Sequence, residues 1–326
     1  RLLAPPVHVV HVGKFYPPEY RGGLESVVVG INDELVRRGV DVTAVVAAVQ
    51  GRGGVDFHRG VKVVRAATLM TLLSQPISPA LGHAVRSAEG DVLHLHHPNP
   101  LGDVAILGDR RPLVITQHSD IVRQRALRPL YGPLLRRALA RARAVAIGSE
   151  QLLRTSGELR GFEAKARVIP FGIDAARFAA TPAVMARAAA LREEWGGRPA
   201  VLGVGRLVSY KGFDVLLDAA RDLEATIVLV GSGPEESRLR ALALPGVVFA
   251  GRVSDDDLVA YYHAAEIFCL PSVTIAEAFG MVLLEAMACG KPLVTTAAGG
   301  NTDAVRDGVD GLLVPPRDPA LMAAAL

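Results

Sequence analysis

Short runs of β-branched and aliphatic residues alternate with helical patterns along the whole chain, and the alternation starts twice. VHVVHVG (7–13), VDVTAVVAA (40–48), VKVVRA (61–66), DVLHLHH (91–97) and PLVITQH (112–118) read as strands. LESVVVGINDELVRRG (24–39) lies between the first two and reads as a helix ending at Gly39, where a C-cap is expected. The pattern restarts at PAVLGVGRL (199–207), after an Ala/Arg-rich helix and a WGGRP break, and continues through TIVLVGSG, GVVFAGRV, EIFCLPS and KPLVTTAAG. Strands that are apolar throughout and separated by helices require parallel sheets covered on both faces. The sequence therefore predicts an α/β chain of two doubly wound, Rossmann-like domains facing an interdomain cleft. Residues 1–175 make the first domain and 176–326 the second. The length of 326 residues and the 50% hydrophobic content supply two cores of that size.

Composition removes several classes. The two cysteines, Cys269 and Cys289, sit in apolar contexts and make neither a disulfide framework nor a zinc-type spacing, which points to a reducing cytosol. No run of about 18 uncharged apolar residues is present, so no transmembrane helix is expected. Both ends read as trimmed, since the chain opens on Arg1 and closes on MAAAL in a helical pattern. The net charge of +3 conceals an asymmetry: residues 1–180 hold 24 Lys and Arg against 15 Asp and Glu, whereas residues 181–326 hold 12 against 18. Much of the positive charge lies in the Arg-rich helix 123–143. Such a helix is either a solvated face or a surface for anionic membrane lipid or a phosphate-bearing acceptor. Nucleic acid is not expected as a partner, because aromatic residues make up only 5% of the chain and do not interleave with the basic ones.

Ligands of open parallel sheets bind beyond the carboxyl ends of the strands, so the segments that follow each strand carry the functional reading. After the first strand, Gly22 and Gly23 precede a helix, where glycine lets backbone N–H groups approach an anion. After PAVLGVG come Arg206 and Lys211, two cations that suit a diphosphate. GVGRLV and VGSGPE each lack the third glycine of a dinucleotide fingerprint, and CGKP lacks the upstream glycine and the Ser or Thr of a P-loop. His118 ends a strand of the first domain and is a candidate ligand contact. His94, His96 and His97 end another; i and i+2 share a face, so metal binding is open, but strand-end packing is the simpler reading. In EAFGMVLLE (277–285) two glutamates stand eight apart around an apolar run. If a helix begins near Gly280, Glu277 lies in the loop before it and Glu285 in its second turn. The N–H groups of Gly280, Met281 and Val282 then form an anion site flanked by two acceptors suited to hydroxyls. A ligand with a diphosphate and many hydroxyls is a nucleotide-sugar.

These segments resemble the retaining GT-B glycosyltransferases of family 4 (glycosyl transferases group 1). The resemblance runs from VHVVHVGKFYPPEYRGGLE through PFGID (170–174), GVGRLVSYKG, VGSGPE, FAGRV and PSVTIAEAFGMVLLEAMACGKP to DGVDGLLVPP. The opening VGKFYPP and LPSVTIAEAFG resemble the bacterial mannosyl- and rhamnosyltransferase branch, which implies cell-envelope polysaccharide biosynthesis in the cytoplasm or on the inner face of the plasma membrane. The resemblance implies an acceptor-binding first domain and a donor-binding second domain. It implies that Glu285 holds the ribose hydroxyls, that Glu277 and His118 meet the transferred sugar, and that Arg206 and Lys211 neutralise the diphosphate. Gly22 and Gly23 would approach the diphosphate from the first domain, Arg252 and Val253 would meet the base, and Phe279, Gly280, Met281 and Val282 would complete the donor site. No metal or resident cofactor is implied, and the acceptor would be a glycan or a lipid-linked hydroxyl. The apolar stretch 67–82 and the Arg-rich helix are candidate surfaces for a lipid-linked acceptor, or equally core and solvated surface. The family's closing C-terminal helix has no counterpart in the sequence, and Asp303 stands where many members carry Glu. A same-fold epimerase or hydrolase and a non-catalytic nucleotide-sugar binder remain alternatives.

Overall fold

The computed structural model describes residues 7–18, 23–72, 75–120 and 128–326. The chain divides into two compact units, Arg1–Phe171 and Gly172–Leu326. The strands of the first unit are β1 (His8–Val12), β2 (Asp41–Ala47), β3 (Gly54–His58), β4 (Val61–Ala66), β5 (Met70–Leu72), β6 (Gln75–Ile77), β7 (Val92–His97), β8 (Leu113–Gln117), β9 (Ala144–Ile147) and β10 (Ala166–Val168). Eight of them form one sheet in the order β10-β9-β8-β7-β1-β2-β4-β3. Pairing is parallel throughout, except that β3 runs antiparallel to β4 at the edge. β5 and β6 form a separate antiparallel pair.

The strands of the second unit are β11 (Ala200–Val204), β12 (Thr226–Val230), β13 (Val247–Gly251), β14 (Ile267–Leu270), β15 (Leu293–Thr296) and β16 (Gly311–Val314). They make one wholly parallel sheet, β13-β12-β11-β14-β15-β16. Every residue of β11 and β12 is buried, as parallel strands covered on both faces must be. Side chains alternate across the sheet. Leu202, Val204, Val228, Val230, Phe268 and Leu270 pack on one side with Trp195, Tyr261 and Tyr262. Val201, Ile227, Leu229 and Val294 pack on the other with Phe213, Leu216 and Met322.

The elements without a strong apolar period are the ones the sequence pattern does not show. β3, β5 and β6 are short, and β3 and β5 are largely exposed. The stretch 67–82 is part core and part surface: Leu81 packs in the core of the first unit, whereas residues 69–72 face solvent. Leu69, Met70 and Leu72 are all more than half exposed there, as are Val55 and Phe57 on β3. The helix Arg128–Arg141 buries Leu135, Ala138 and Leu139 and turns much of its arginine outward. Arg141 donates to the Arg111 carbonyl at 2.7 Å and Arg136 lies over the Phe162 ring at 5.0 Å. Residues 123–127 of the Arg-rich segment, and Gly22, lie outside the described residues. Among the described residues no helix is long and apolar enough to cross a membrane.

One face of the first sheet carries polar residues in its centre. His11 on β1 is in register with His94 on β7, His96 lies two residues further along β7 in register with Thr116 of β8, and His118 follows β8. Burial drives their ionisation. It takes His94 from its ordinary value of 6.5 down to about 4 and, with the neighbouring His94 and His97, takes His118 to about 3. Burial, reinforced by the neighbouring histidines, takes His11 and His96 well below that ordinary value too. The unfolded chain therefore binds protons below pH 6.5 that the folded chain refuses, in His94 until about pH 4 and in His118 until about pH 3. Stability is complete above about pH 7 and is lost as the pH falls through the interval between 6.5 and 4. Each such histidine contributes a slope of about 1.4 kcal/mol per pH unit. Urea midpoints measured from pH 8 to pH 4.5 should fall steeply below pH 6.5, and a flat profile would contradict the burial of these rings.

Candidate functional site

In the second unit the direction in which strands are added reverses between β11 and β14, and the carboxyl ends of strands on either side of such a reversal open a ligand crevice. Two loops meet there. The loop after β11 carries Arg206, which is exposed, and then a single 3₁₀ turn, Ser209–Lys211. The loop after β14 carries Ser272 and Glu277, both buried. The Val273 N–H donates to the Tyr210 carbonyl at 2.8 Å and ties the loops together. Lys211 Nζ reaches Glu277 Oε2 at 2.6 Å, and Ser272 Oγ donates to the same oxygen at 2.8 Å. Burial alone would lower the Lys211 pKa. The Glu277 carboxylate, helped by Tyr210 and Glu285, outweighs it and holds the ammonium above its ordinary range. Lys211 is therefore a cation held in place by its carboxylate partner.

The helix that follows spans Met281–Ala288, so Glu277 lies before it and Glu285 inside it. Gly280 is the N-cap residue, at φ 70° and ψ 52° in the left-handed region. A Cβ on Gly280 would stand 2.8 Å from Leu283 Cδ1 and 2.9 Å from Asn301 Oδ1, so both backbone and space select glycine. The first N–H groups of a helix have no partner within it, and here they belong to Met281 and Val282, beside the buried Phe279 ring. Tyr262 OH donates to Glu285 Oε2 at 2.7 Å. Burial, and then the charge of Glu285, hold that phenol well above its ordinary pKa, so it stays a donor. Gly299 closes the floor. Its φ is 56°, and a Cβ there would fall 2.1 Å from the Glu277 carbonyl oxygen, which itself accepts from the Gly300 N–H at 2.8 Å.

Glu277, Lys211, Phe279, Gly280, Met281, Val282 and Glu285 thus gather on two neighbouring loops and one helix start. The sequence reading assigned Lys211 to the diphosphate and Glu277 to the sugar separately, whereas the fold bonds them to each other. Arg252 is exposed and Val253 half-buried, just past β13 at the far edge of the sheet. Backbone bonds link that end to β11, with Gly231 N–H donating to Gly251 O and Leu207 N–H to Ser232 O. Ser272, Tyr262 and Gly299, which orient the glutamates, escaped sequence reasoning.

In the first unit Gly23 opens the helix Gly23–Arg37 and is exposed. His118 is buried directly after β8. Its N–H donates to the His97 carbonyl at 3.0 Å, and its ring stacks on Phe171 at 5.2 Å. Its Nε2 meets His96 Nδ1 at 3.1 Å, and His96 Nε2 meets His11 Nδ1 at 2.9 Å. The three strand-end histidines separate by face. His97 lies on the opposite side, bonded to Gln117 at 3.1 Å and to Asp103 at 2.8 Å, and Tyr131 donates to the same carboxylate. His97 is thus strand-end packing, held by a carboxylate six residues further on. His94 and His96 instead join His11 from the neighbouring strand, with ligand atoms within 4.8 Å of one another, a spacing compatible with a metal ion.

Comparison with known proteins identifies the family and the fold. The model of Glycosyltransferase Family 4 matches residues 21–177, and that of Glycosyl transferases group 1 matches residues 198–326. The chain is 35% identical to the D-rhamnosyltransferase WbpZ of Pseudomonas aeruginosa, over 98% of this chain and 86% of that protein. It is 31% identical to the O-antigen chain mannosyltransferase C of Escherichia coli, over 98% and 88%. Among solved structures it resembles Anabaena HepE in complex with UDP and glucose, at a TM-score of 0.75 and 24% identity over 98% of this chain and 88% of that one. Sucrose-phosphate synthase from Thermosynechococcus elongatus gives a TM-score of 0.78 at 23% identity over the same shares. The chain belongs to the glycosyl transferases of group 1, family 4, and has their GT-B fold.

Proposed function

We propose that this glycosyltransferase moves a hexose of the mannose or rhamnose type from a nucleoside-diphosphate sugar to a hydroxyl of a glycan or lipid-linked acceptor, with retention of anomeric configuration. The observation that carries this reading is the buried Lys211–Glu277 pair at the strand-order reversal, beside a helix start and eight residues before Glu285. The similarity to a rhamnosyltransferase and an O-antigen mannosyltransferase supports the choice of sugar and a role in cell-envelope polysaccharide synthesis.

Departure of the diphosphate builds negative charge on its oxygens and an oxocarbenium-like sugar. Lys211, held in place and charged, lies at that end of the site. Arg206 sits on the same loop with its fork exposed, and the N–H groups of Met281 and Val282 add two more donors. Such preorganised donors act where the charge develops. Glu285, oriented by Tyr262, accepts from ribose hydroxyls, and Glu277 accepts from the sugar while anchoring Lys211. No carboxylate stands free to act as a nucleophile in this loop, since Glu277 is committed to Lys211 and Ser272. The reading is therefore a same-face displacement in which a leaving phosphate oxygen takes the acceptor's proton. On the acceptor side, the exposed apolar residues at 69–72 and 55–57 suit a lipid-linked molecule, and the outward arginines of Arg128–Arg141 suit anionic lipid.

Arg206→Ala should cost roughly 10²–10³ in rate with little change in stability, because its side chain is exposed and the loss is of one cationic donor. Lys211→Ala should lose as much rate and also stability, of the order of 3–5 kcal/mol, because it strands the buried Glu277. Steady-state kinetics and urea unfolding of both variants separate the two effects. A thermal-shift panel of GDP, UDP, ADP and their sugars should raise the midpoint with one base, and Glu285→Ala should abolish that rise. No rise with any nucleotide would sink the donor-site assignment. Since side chains and helix N–H groups supply the positive charge, transfer should persist in excess EDTA; strict loss of turnover there would assign the diphosphate to a metal ion. Anomeric proton couplings of the product, read by NMR, test retention.

A further inference from the structure

His11, His96 and His118 form an unbroken chain of imidazoles: His11 Nδ1 to His96 Nε2 at 2.9 Å, then His96 Nδ1 to His118 Nε2 at 3.1 Å. All three are buried, which disfavours the charged forms. Three neutral rings hold three N–H protons, and each of the two inter-ring bonds contains one. His96 cannot supply both protons without becoming a cation, nor accept both without becoming an anion. Two arrangements remain. In the first, each Nδ1 carries the proton and donates along the chain from His11 to His96 to His118, so that the third N–H stands on His118 Nδ1. In the second, each Nε2 carries it and the third N–H stands on His11 Nε2.

His11 Nε2 decides between them. It is buried and has no hydrogen-bond partner among the described residues. A bare lone pair there costs less than an orphaned N–H, which folded proteins rarely tolerate. The geometry points to a role for two residues outside the donor loops: we propose that His11 and His96 are positioning residues that lock His118 as its Nδ1–H tautomer. His118 then presents a fixed N–H donor, at the carboxyl end of β8, to a hydroxyl oxygen of the substrate. Its ring plane is held by Phe171 on one side and its Nε2 by His96 on the other. His94, bonded to Thr116 Oγ1 at 2.7 Å, stands beside the chain without entering it. The use of His118 toward substrate rests on the transferase reading, whereas the tautomer itself does not. Metal ligation by His11, His94 and His96 is the competing use of the same rings. It is the poorer fit, because His11 Nδ1 and His96 Nε2 face each other at hydrogen-bond distance.

Long-range ¹H–¹⁵N correlation spectra of the ¹⁵N-histidine-labelled protein at neutral pH test this directly. The expected result is a protonated Nδ1 and a bare Nε2 in all three rings, the reverse of the tautomer that free neutral histidine favours. A protonated Nε2 on His118, or stoichiometric metal in the purified protein held by these rings, would overturn the proposal. In His96→Leu, His118 should lose its Nδ1–H signature and kcat/KM for transfer should fall about tenfold, the effect of one neutral hydrogen bond. In His96→Asn, whose amide nitrogen takes the place of Nδ1, both should return. Should either variant fail to fold, the wild-type spectrum decides alone. An Nδ1–H tautomer in a protein that binds no nucleotide-sugar would keep the relay and reject the transferase reading.

Discussion

The bond from Lys211 to Glu277 organises the second unit. It joins the loop after β11 to the loop after β14, the two strands between which the sheet reverses its order. A carboxylate and an ammonium taken this far out of water are costly alone and tolerable only together, with Ser272 adding a further bond. Once the pair is made, the position of Glu277 is fixed, and the chain three residues later must enter a left-handed turn at Gly280 to start the next helix. Gly299 must then pass within van der Waals distance of the Glu277 carbonyl. The requirement for glycine at these points is thus a consequence of where the ion pair sits.

The same pairing explains why the site carries charge without solvent to stabilise it. Lys211 is kept protonated by its neighbour despite burial, so its charge is oriented and its desolvation is part of folding. Glu285 is held in the same way by the Tyr262 phenol, which burial keeps protonated. The first unit uses the opposite device. Its polar residues are neutral imidazoles bonded to one another along a sheet face, and burial removes their charge instead of pairing it.

Much of the fold was legible from apolar periodicity. The buried strands β1, β2, β4, β7 and β8 and all of β11–β15 were visible because a parallel strand covered on both faces leaves a continuous apolar run. The edge strand β3 and the pair β5–β6 were not, because solvent takes much of their surface and their residues carry no period. In the site, Glu277, Glu285, Arg206 and Lys211 were legible from their places after strands and at a helix start. Their partners were not. Ser272 and Tyr262 are ordinary residues until the sheet brings them to a carboxylate, and the histidines of DVLHLHH read as one group although alternation sends His97 to the other face.

By itself, the sequence determined the α/β class, the two-unit organisation, the helix start at EAFGMVLLE and the family, because these rest on local period and on spacing along the chain. Tertiary structure alone decided that Lys211 belongs to Glu277, that Tyr262 orients Glu285, and that His11 reaches His118 through His96. Those contacts join residues 22 to 85 positions apart, and only strand order and register, set by the packing of whole sheets, bring such residues within hydrogen-bond distance.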